Sequence, residues 1–117
     1  MQSKLVFVYG SLKSGHHNHA LLRNAEFVSN HITEPKFTLL DLGKYPAVLR
    51  QGTTSIHGEI YLVDQETFRA LDKLEAYPDF YDRVLIPTEF GEAWMYTLVK
   101  KEHNYPVIKS GNWELKQ

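Results

Sequence analysis

The sequence contains no cysteine, which removes disulfides, thiolate nucleophiles, iron–sulfur clusters and cysteine-ligated zinc together. It has no excess of one charge: 13 Lys+Arg stand against 14 Asp+Glu, a formal net charge of −1. A near-neutral surface gives no general pull toward nucleic acid or anionic lipid. No apolar run approaches the ~18 residues of a membrane-spanning helix. The first residues offer neither the long apolar region nor the small-residue cleavage site of a signal peptide, so a cytoplasmic protein is expected. With 7 Gly and 5 Pro, collagen-like and low-complexity chains are excluded, and no internal repeat or linker is visible. What remains is 117 residues, 43% hydrophobic and 13% aromatic. That is a globular composition whose length fits a single domain, 1–117, at roughly 150 residues per domain. Any chemistry must come from oxygen and nitrogen groups.

Residues 5–9 are a β-branched and aromatic run that stops at Gly10, the pattern of a buried strand. A loop bounded by Gly10 and Gly15 follows, and Ala20-Leu21-Leu22 suggests one or two helical turns. Residues 37–42 read as a second strand, closed by the turn Gly43-Lys44-Tyr45-Pro46. Residues 50–54 read as a polar turn. Residues 56–63 are the longest strand candidate, with Ile56, Gly58, Ile60 and Leu62 facing the core and Glu59 and His57 sharing the other face. Asp64 then fits a helix N-cap, and Pro78 stops the helix soon after Ala76. Residues 84–86 and 93–99 form two more strands around Phe90-Gly91-Glu92, and residues 105–113 are mixed in character. Five or six strands and one clear helix predict an α+β domain built as a curved mixed sheet or small barrel.

The helix carries an anomaly. Stepping about 100° per residue from Phe68, Leu71 falls at about 300°, Leu74 at about 240° and Glu75 at about 340°. A glutamate therefore projects from the helix's own apolar stripe at its C-terminal end. Desolvation and the partial negative charge of a helix C-terminus both raise a carboxyl pKa, toward the near-neutral value a general acid/base needs. An ion pair with Arg83 or Lys73, or a frayed helix end, would serve structure instead. In the loop after the first strand, Gly10 and Gly15 allow close backbone approach, and successive N–H groups there can cradle an anion. An ordinary tight connection reads as well. His16 and His17 stand where a phosphate loop needs Lys and Ser/Thr, so nucleotide binding is excluded. His16, His17 and His19 have no nearby Cys, Asp or Glu to complete a metal set, and no metal is expected. Ser11 lacks the Gly-x-Ser-x-Gly context of a hydrolase nucleophile. Tyr9, Tyr45, Tyr61, Tyr77, Tyr81 and Tyr96 read as core and rim residues whose polar tips need partners.

These features occur in one order along the chain. Val6-Phe7-Val8-Tyr9-Gly10-Ser11-Leu12-Lys13 with Asn18-His19, then Leu42-Gly43-Lys44-Tyr45-Pro46-Ala47, then Ile56-His57-Gly58-Glu59-Ile60-Tyr61, then Leu71-Asp72-Lys73-Leu74-Glu75 with Tyr81-Asp82-Arg83 resemble the γ-glutamylcyclotransferase-like family. The short chain, Ala93-Trp94-Met95-Tyr96 and Ser110-Gly111-Asn112-Trp113 resemble its compact γ-glutamylamine cyclotransferase-like branch. The resemblance implies a small mixed β-barrel with flanking helices and a cavity beside the barrel. It implies cofactor-independent release of 5-oxoproline and a free amine from a γ-glutamyl amide, with Glu75 as general base and acid. On the same footing, Gly10, Ser11 and Leu12 offer backbone N–H groups to a carboxylate or oxyanion. Tyr9, Tyr45 and Tyr81 line the pocket, the last two as hydrogen-bond donors, and Arg83 contacts substrate or holds its loop through a carboxylate. The partner expected is a small molecule bearing a γ-glutamyl group, on a monomer or weak homodimer. The alternative is a non-catalytic module binding a small carboxylate-bearing metabolite in the same cavity.

Overall fold

The computed structural model describes residues 3–10, 12, 13, 19–100 and 104–113. Among them the chain forms strands β1 (Lys4–Val8), β2 (Glu26–Ile32), β3 (Phe37–Asp41), β4 (Pro46–Thr54) and β5 (His57–Val63), helix α1 (Gln65–Leu74), and strands β6 (Tyr81–Thr88) and β7 (Gly91–Leu98), with a 3₁₀ turn at His19–Leu22. Five strands make one sheet in the order β2-β5-β1-β7-β6, and β3 and β4 make a separate hairpin. Within the large sheet only β1 and β7 are parallel.

β1 lies at the centre because its apolar run suits burial on both faces. Val6, Phe7 and Val8 are all but inaccessible. Val6 and Val8 pack with Phe68 and Leu71 of α1, while Phe7 packs with Leu39, Val48, Ile60 and Met95 on the opposite face. β5 is covered in the same way. Tyr61 and Val63, expected opposite the core, are as buried as Ile60, because they pack with Phe68 and Leu71 of α1 and Leu40 and Ala47 of the hairpin while Ile60 packs with Leu39 and Val48.

The α+β class is as expected, but the large sheet keeps two edges, β2 and β6, and the hairpin is not hydrogen-bonded into it as a strand. The sheets therefore do not close into the barrel anticipated from the resemblance. Arg50 on β4 bridges the gap, donating from Nε to Thr97 Oγ1 of β7 at 3.1 Å and from Nη2 to Asp82 Oδ2 at 2.9 Å.

Residues 104–113 act as a strap. Ile108 N–H donates to Leu39 O at 2.8 Å, Asp41 N–H to Pro106 O at 2.9 Å, and His57 N–H to Gly111 O at 2.8 Å. Gly111 has φ of +71°, and a Cβ there would strike Ser55 O, so glycine is required where the strap meets the large sheet. Trp113 then enters the core beneath it.

Candidate active site

Helix α1 starts on Asp64, whose Oδ1 accepts from Thr67 N–H at 2.7 Å, and that bond holds the Asp64 carboxyl below its usual range. It ends two residues earlier than the sequence predicts. Ala76 N–H donates to Lys73 O at 3.2 Å and Tyr77 N–H to Asp72 O at 2.9 Å, with Ala76 in the left-handed region at φ +51°. This is a Schellman closure with alanine where glycine is usual. Glu75 is the capping residue, and the reversal after it aims its side chain into a cavity of about 530 Å³.

Among the described residues no hydrogen bond or ion pair reaches the Glu75 carboxylate. Burial raises its pKa from 4.5 to about 7. The pairings considered for it go elsewhere. Arg83 Nη1 donates to both carboxylate oxygens of Asp72, at 2.8 and 2.9 Å, one turn back on the same helix. Its guanidinium also lies 4.0, 4.6 and 4.8 Å from the ring centroids of Tyr77, Phe68 and Trp94.

The cavity is walled by β1 and the residues after it (Phe7, Val8, Tyr9, Gly10 and Leu12), by Lys44, Tyr45 and Pro46, by the end of α1, and by Phe80, Tyr81 and Tyr96. Three hydroxyls in this wall are already committed. Tyr9 donates to Tyr96 O at 2.8 Å, Tyr81 to Pro46 O at 2.8 Å, and Tyr96 to Asp72 Oδ1 at 2.7 Å. Each oxygen keeps acceptor capacity only, which suits an N–H donor such as an ammonium group. Burial first, and then the Glu75 charge, holds the Tyr81 phenol above its usual range. It stays protonated at any ordinary pH.

Of the residues after β1, Gly10, Leu12 and Lys13 are held by contacts from other parts of the chain. A Cβ on Gly10 would lie 2.7 Å from Pro46 Cδ, so only glycine lets the two loops touch. Lys13, almost fully buried, donates from Nζ to Trp113 O at 2.7 Å and to Asn112 Oδ1 at 3.2 Å. His19 Nδ1 lies 3.0 Å from Leu12 O.

Of the residues anticipated from sequence, Tyr9, Gly10, Leu12, Tyr45, Tyr81 and Glu75 share this cavity. Arg83 is not among its lining residues and is bound to Asp72 instead. Ser11, with Gly15, His16 and His17, lies outside the described residues. Tyr96, Phe80 and Lys44 join the wall without having been singled out as site residues. Tyr96 reads in the sequence only as a core or rim tyrosine and as the end of the run Ala93-Trp94-Met95-Tyr96, and Phe80 sits in a loop where aromatic residues carry no period. Among the described residues no group of three or more His, Asp or Glu side chains is placed to hold a metal ion.

Residues 6–115 match the family described as gamma-glutamyl cyclotransferase, AIG2-like. A Vibrio cholerae protein provisionally named a gamma-glutamylcyclotransferase is 43% identical over 109 residues, 93% of this chain and 94% of that protein. The solution structure of YtfP from Escherichia coli aligns with a TM-score of 0.76 at 36% identity, covering 93% of this chain and 95% of that one. The crystal structure of an AIG2-like protein from mouse aligns with a TM-score of 0.83 at 25% identity, covering 97% and 90%.

Proposed function

The chain belongs to the gamma-glutamyl cyclotransferase, AIG2-like family, and on that premise we propose that it converts γ-glutamyl amides to 5-oxoproline and a free amine with Glu75 as the proton carrier. What supports this reading is a carboxyl that burial pushes up to about 7 in a cavity that it shares with Tyr9, Tyr81 and Tyr96, whose hydroxyls are already spent as donors.

The substrate's α-ammonium binds against Glu75 and those oxygens. Ionised Glu75 takes one proton, and the freed amine nitrogen attacks the γ-carbonyl carbon of the same molecule, closing a five-membered lactam. The tetrahedral intermediate carries its negative charge on the former carbonyl oxygen, which the backbone N–H groups after β1 stabilise. As it collapses, protonated Glu75 delivers its proton to the departing nitrogen and that bond breaks; Glu75, ionised again, takes the second proton from the ring nitrogen, which becomes the lactam N–H, and passes it to the free amine, which leaves as its ammonium. Atoms and charge balance without any second reactant. Because nucleophile and electrophile belong to one molecule, holding it folded supplies much of the acceleration.

Incubation of the protein with a panel of γ-glutamyl amides, followed by mass spectrometry, tests the reading. 5-Oxoproline is expected. Glutamate as product would indicate hydrolysis by water, and saturable binding without product would indicate a binding module. Glu75→Gln is isosteric but cannot take the proton, so turnover should fall about 10²–10⁴-fold while the fold persists. Full turnover in that variant would remove Glu75 from the mechanism.

A further inference from the structure

The cavity mouth carries groups that ring closure does not use. Tyr45, Leu74 and Phe80 line it yet remain 41%, 41% and 40% exposed. They come from three separate segments: the turn before β4, the last turn of α1 and the loop before β6. The Tyr45 and Phe80 rings meet edge to face with centroids 6.5 Å apart, and Phe80 meets Tyr81 the same way at 4.9 Å. Apolar faces left in water inside a concavity are the usual mark of a ligand surface. Lys44 lines the same mouth. Among the described lining residues it is the sole cation and Glu75 the sole anion.

We propose that this mouth selects the departing amine, favouring γ-glutamyl amides whose amine carries an apolar or aromatic side chain and no positive charge. The inference rests on the cyclisation reading: with the α-amine at Glu75 deep in the cavity, the amide nitrogen and its substituent point outward to the mouth. An aromatic substituent there covers the exposed faces of Phe80 and Leu74 and can meet Tyr45 edge on. Aromatic rims also attract cations, but here Lys44 shares the mouth and repels a second ammonium, while the one carboxylate among the described lining residues, Glu75, is already engaged. A substituent that itself bears a carboxylate, as in a γ-glutamyl amino acid, gains from Lys44.

The experiment compares kcat/KM for 5-oxoproline release from γ-glutamyl-phenylalanine, γ-glutamyl-leucine, γ-glutamyl-glycine, Nε-γ-glutamyl-lysine and γ-glutamyl-putrescine with the full chain. The phenylalanine and leucine donors should exceed both cation-bearing donors by about 10-fold or more, the range an apolar contact supplies. Phe80→Ala should cut the phenylalanine-to-glycine ratio about 10-fold, and Lys44→Gln should improve the putrescine donor relative to phenylalanine. Cation-bearing donors turned over as well as the aromatic one, or Phe80→Ala lowering all donors alike, would overturn the proposal. Calorimetric binding of the same panel to Glu75→Gln separates the two readings. If no donor yields product but γ-glutamyl-phenylalanine still binds more tightly than the lysine conjugate, cyclisation fails and the selectivity of the mouth stands; equal affinities would sink the selectivity.

Discussion

Ionised Glu75 is a cost the fold carries at working pH. Its folded pKa of about 7 lies above its ordinary 4.5, so the folded state binds the proton more tightly than the unfolded state. The protonated form therefore stabilises the fold. That contribution is complete below about pH 4.5 and is lost as pH rises through 7, for a total of about 3 kcal/mol. Glu75→Gln stays neutral throughout. It should melt several degrees above the parent at pH 8 and close to it at pH 4.5, as thermal unfolding at the two values would show. The same titration should give kcat/KM an acidic limb with an apparent pKa near 7, because the base must be ionised to accept a proton; a rate flat from pH 5 to 8 would refute this. Arg83 has a different role. Arg83→Lys loses the two-oxygen grip on Asp72 and the contact with three rings, and with them the anchor of Tyr96. A loss of about 2 kcal/mol and a raised KM are expected, with the position of the acidic limb unchanged. Sequence periodicity shows that Glu75 is out of place on an apolar stripe. It does not show that Arg83 turns to Asp72, because both carboxylates stand on the same helix within reach of the following strand.

At the scale of elements, what was legible had a period. β1, β3, β5 and α1 announce themselves by uninterrupted or regularly spaced apolar residues. β2 does not: its residues are half-buried or exposed along its whole length, Phe27 and Ile32 are exposed, and it is an edge strand held by backbone pairing to β5. β4 (Pro46–Thr54) is not legible either, and for another reason: Pro46 reads as part of a turn and residues 50–54 as a polar turn. Its second half is polar, and the register slips between Phe37 and Thr38, so residues 50–53 fall out of the ladder and resemble a turn. The end of α1 was misjudged by two residues because the stop is made by Ala76 in a conformation that favours glycine. Ala76→Gly should relieve that strain and raise stability by about 1 kcal/mol, readable as a melting temperature higher by about 4 °C. An unchanged or lower midpoint would mean that the unfolded-state entropy of glycine offsets the relief.

At the scale of the molecule, the cavity is where several distant stretches of chain converge. The first strand, the hairpin turn, the helix end and the two following strands each contribute to the wall, and the strap over residues 104–113 holds Lys13, three residues past Gly10. Lys13→Met keeps the apolar stem but releases that lock. A kcat/KM lower by about 10-fold or more is expected, with the sheet intact by circular dichroism, if the lock holds the backbone donors in place. Parental activity in this variant would show that the loop is positioned without it. The Lys13 contact is not visible in the sequence, where Lys13 and Trp113 are separated by almost the entire chain.

That separation sets an order of events during synthesis. The ribosome delivers β1 and the residues after it before the partner β7 and the Trp113 carbonyl that Lys13 binds. A nascent chain with helix α1 already formed still has no anchored loop opposite Glu75. The stretch that anchors the loop thus follows nearly every part of the cavity wall in chain order.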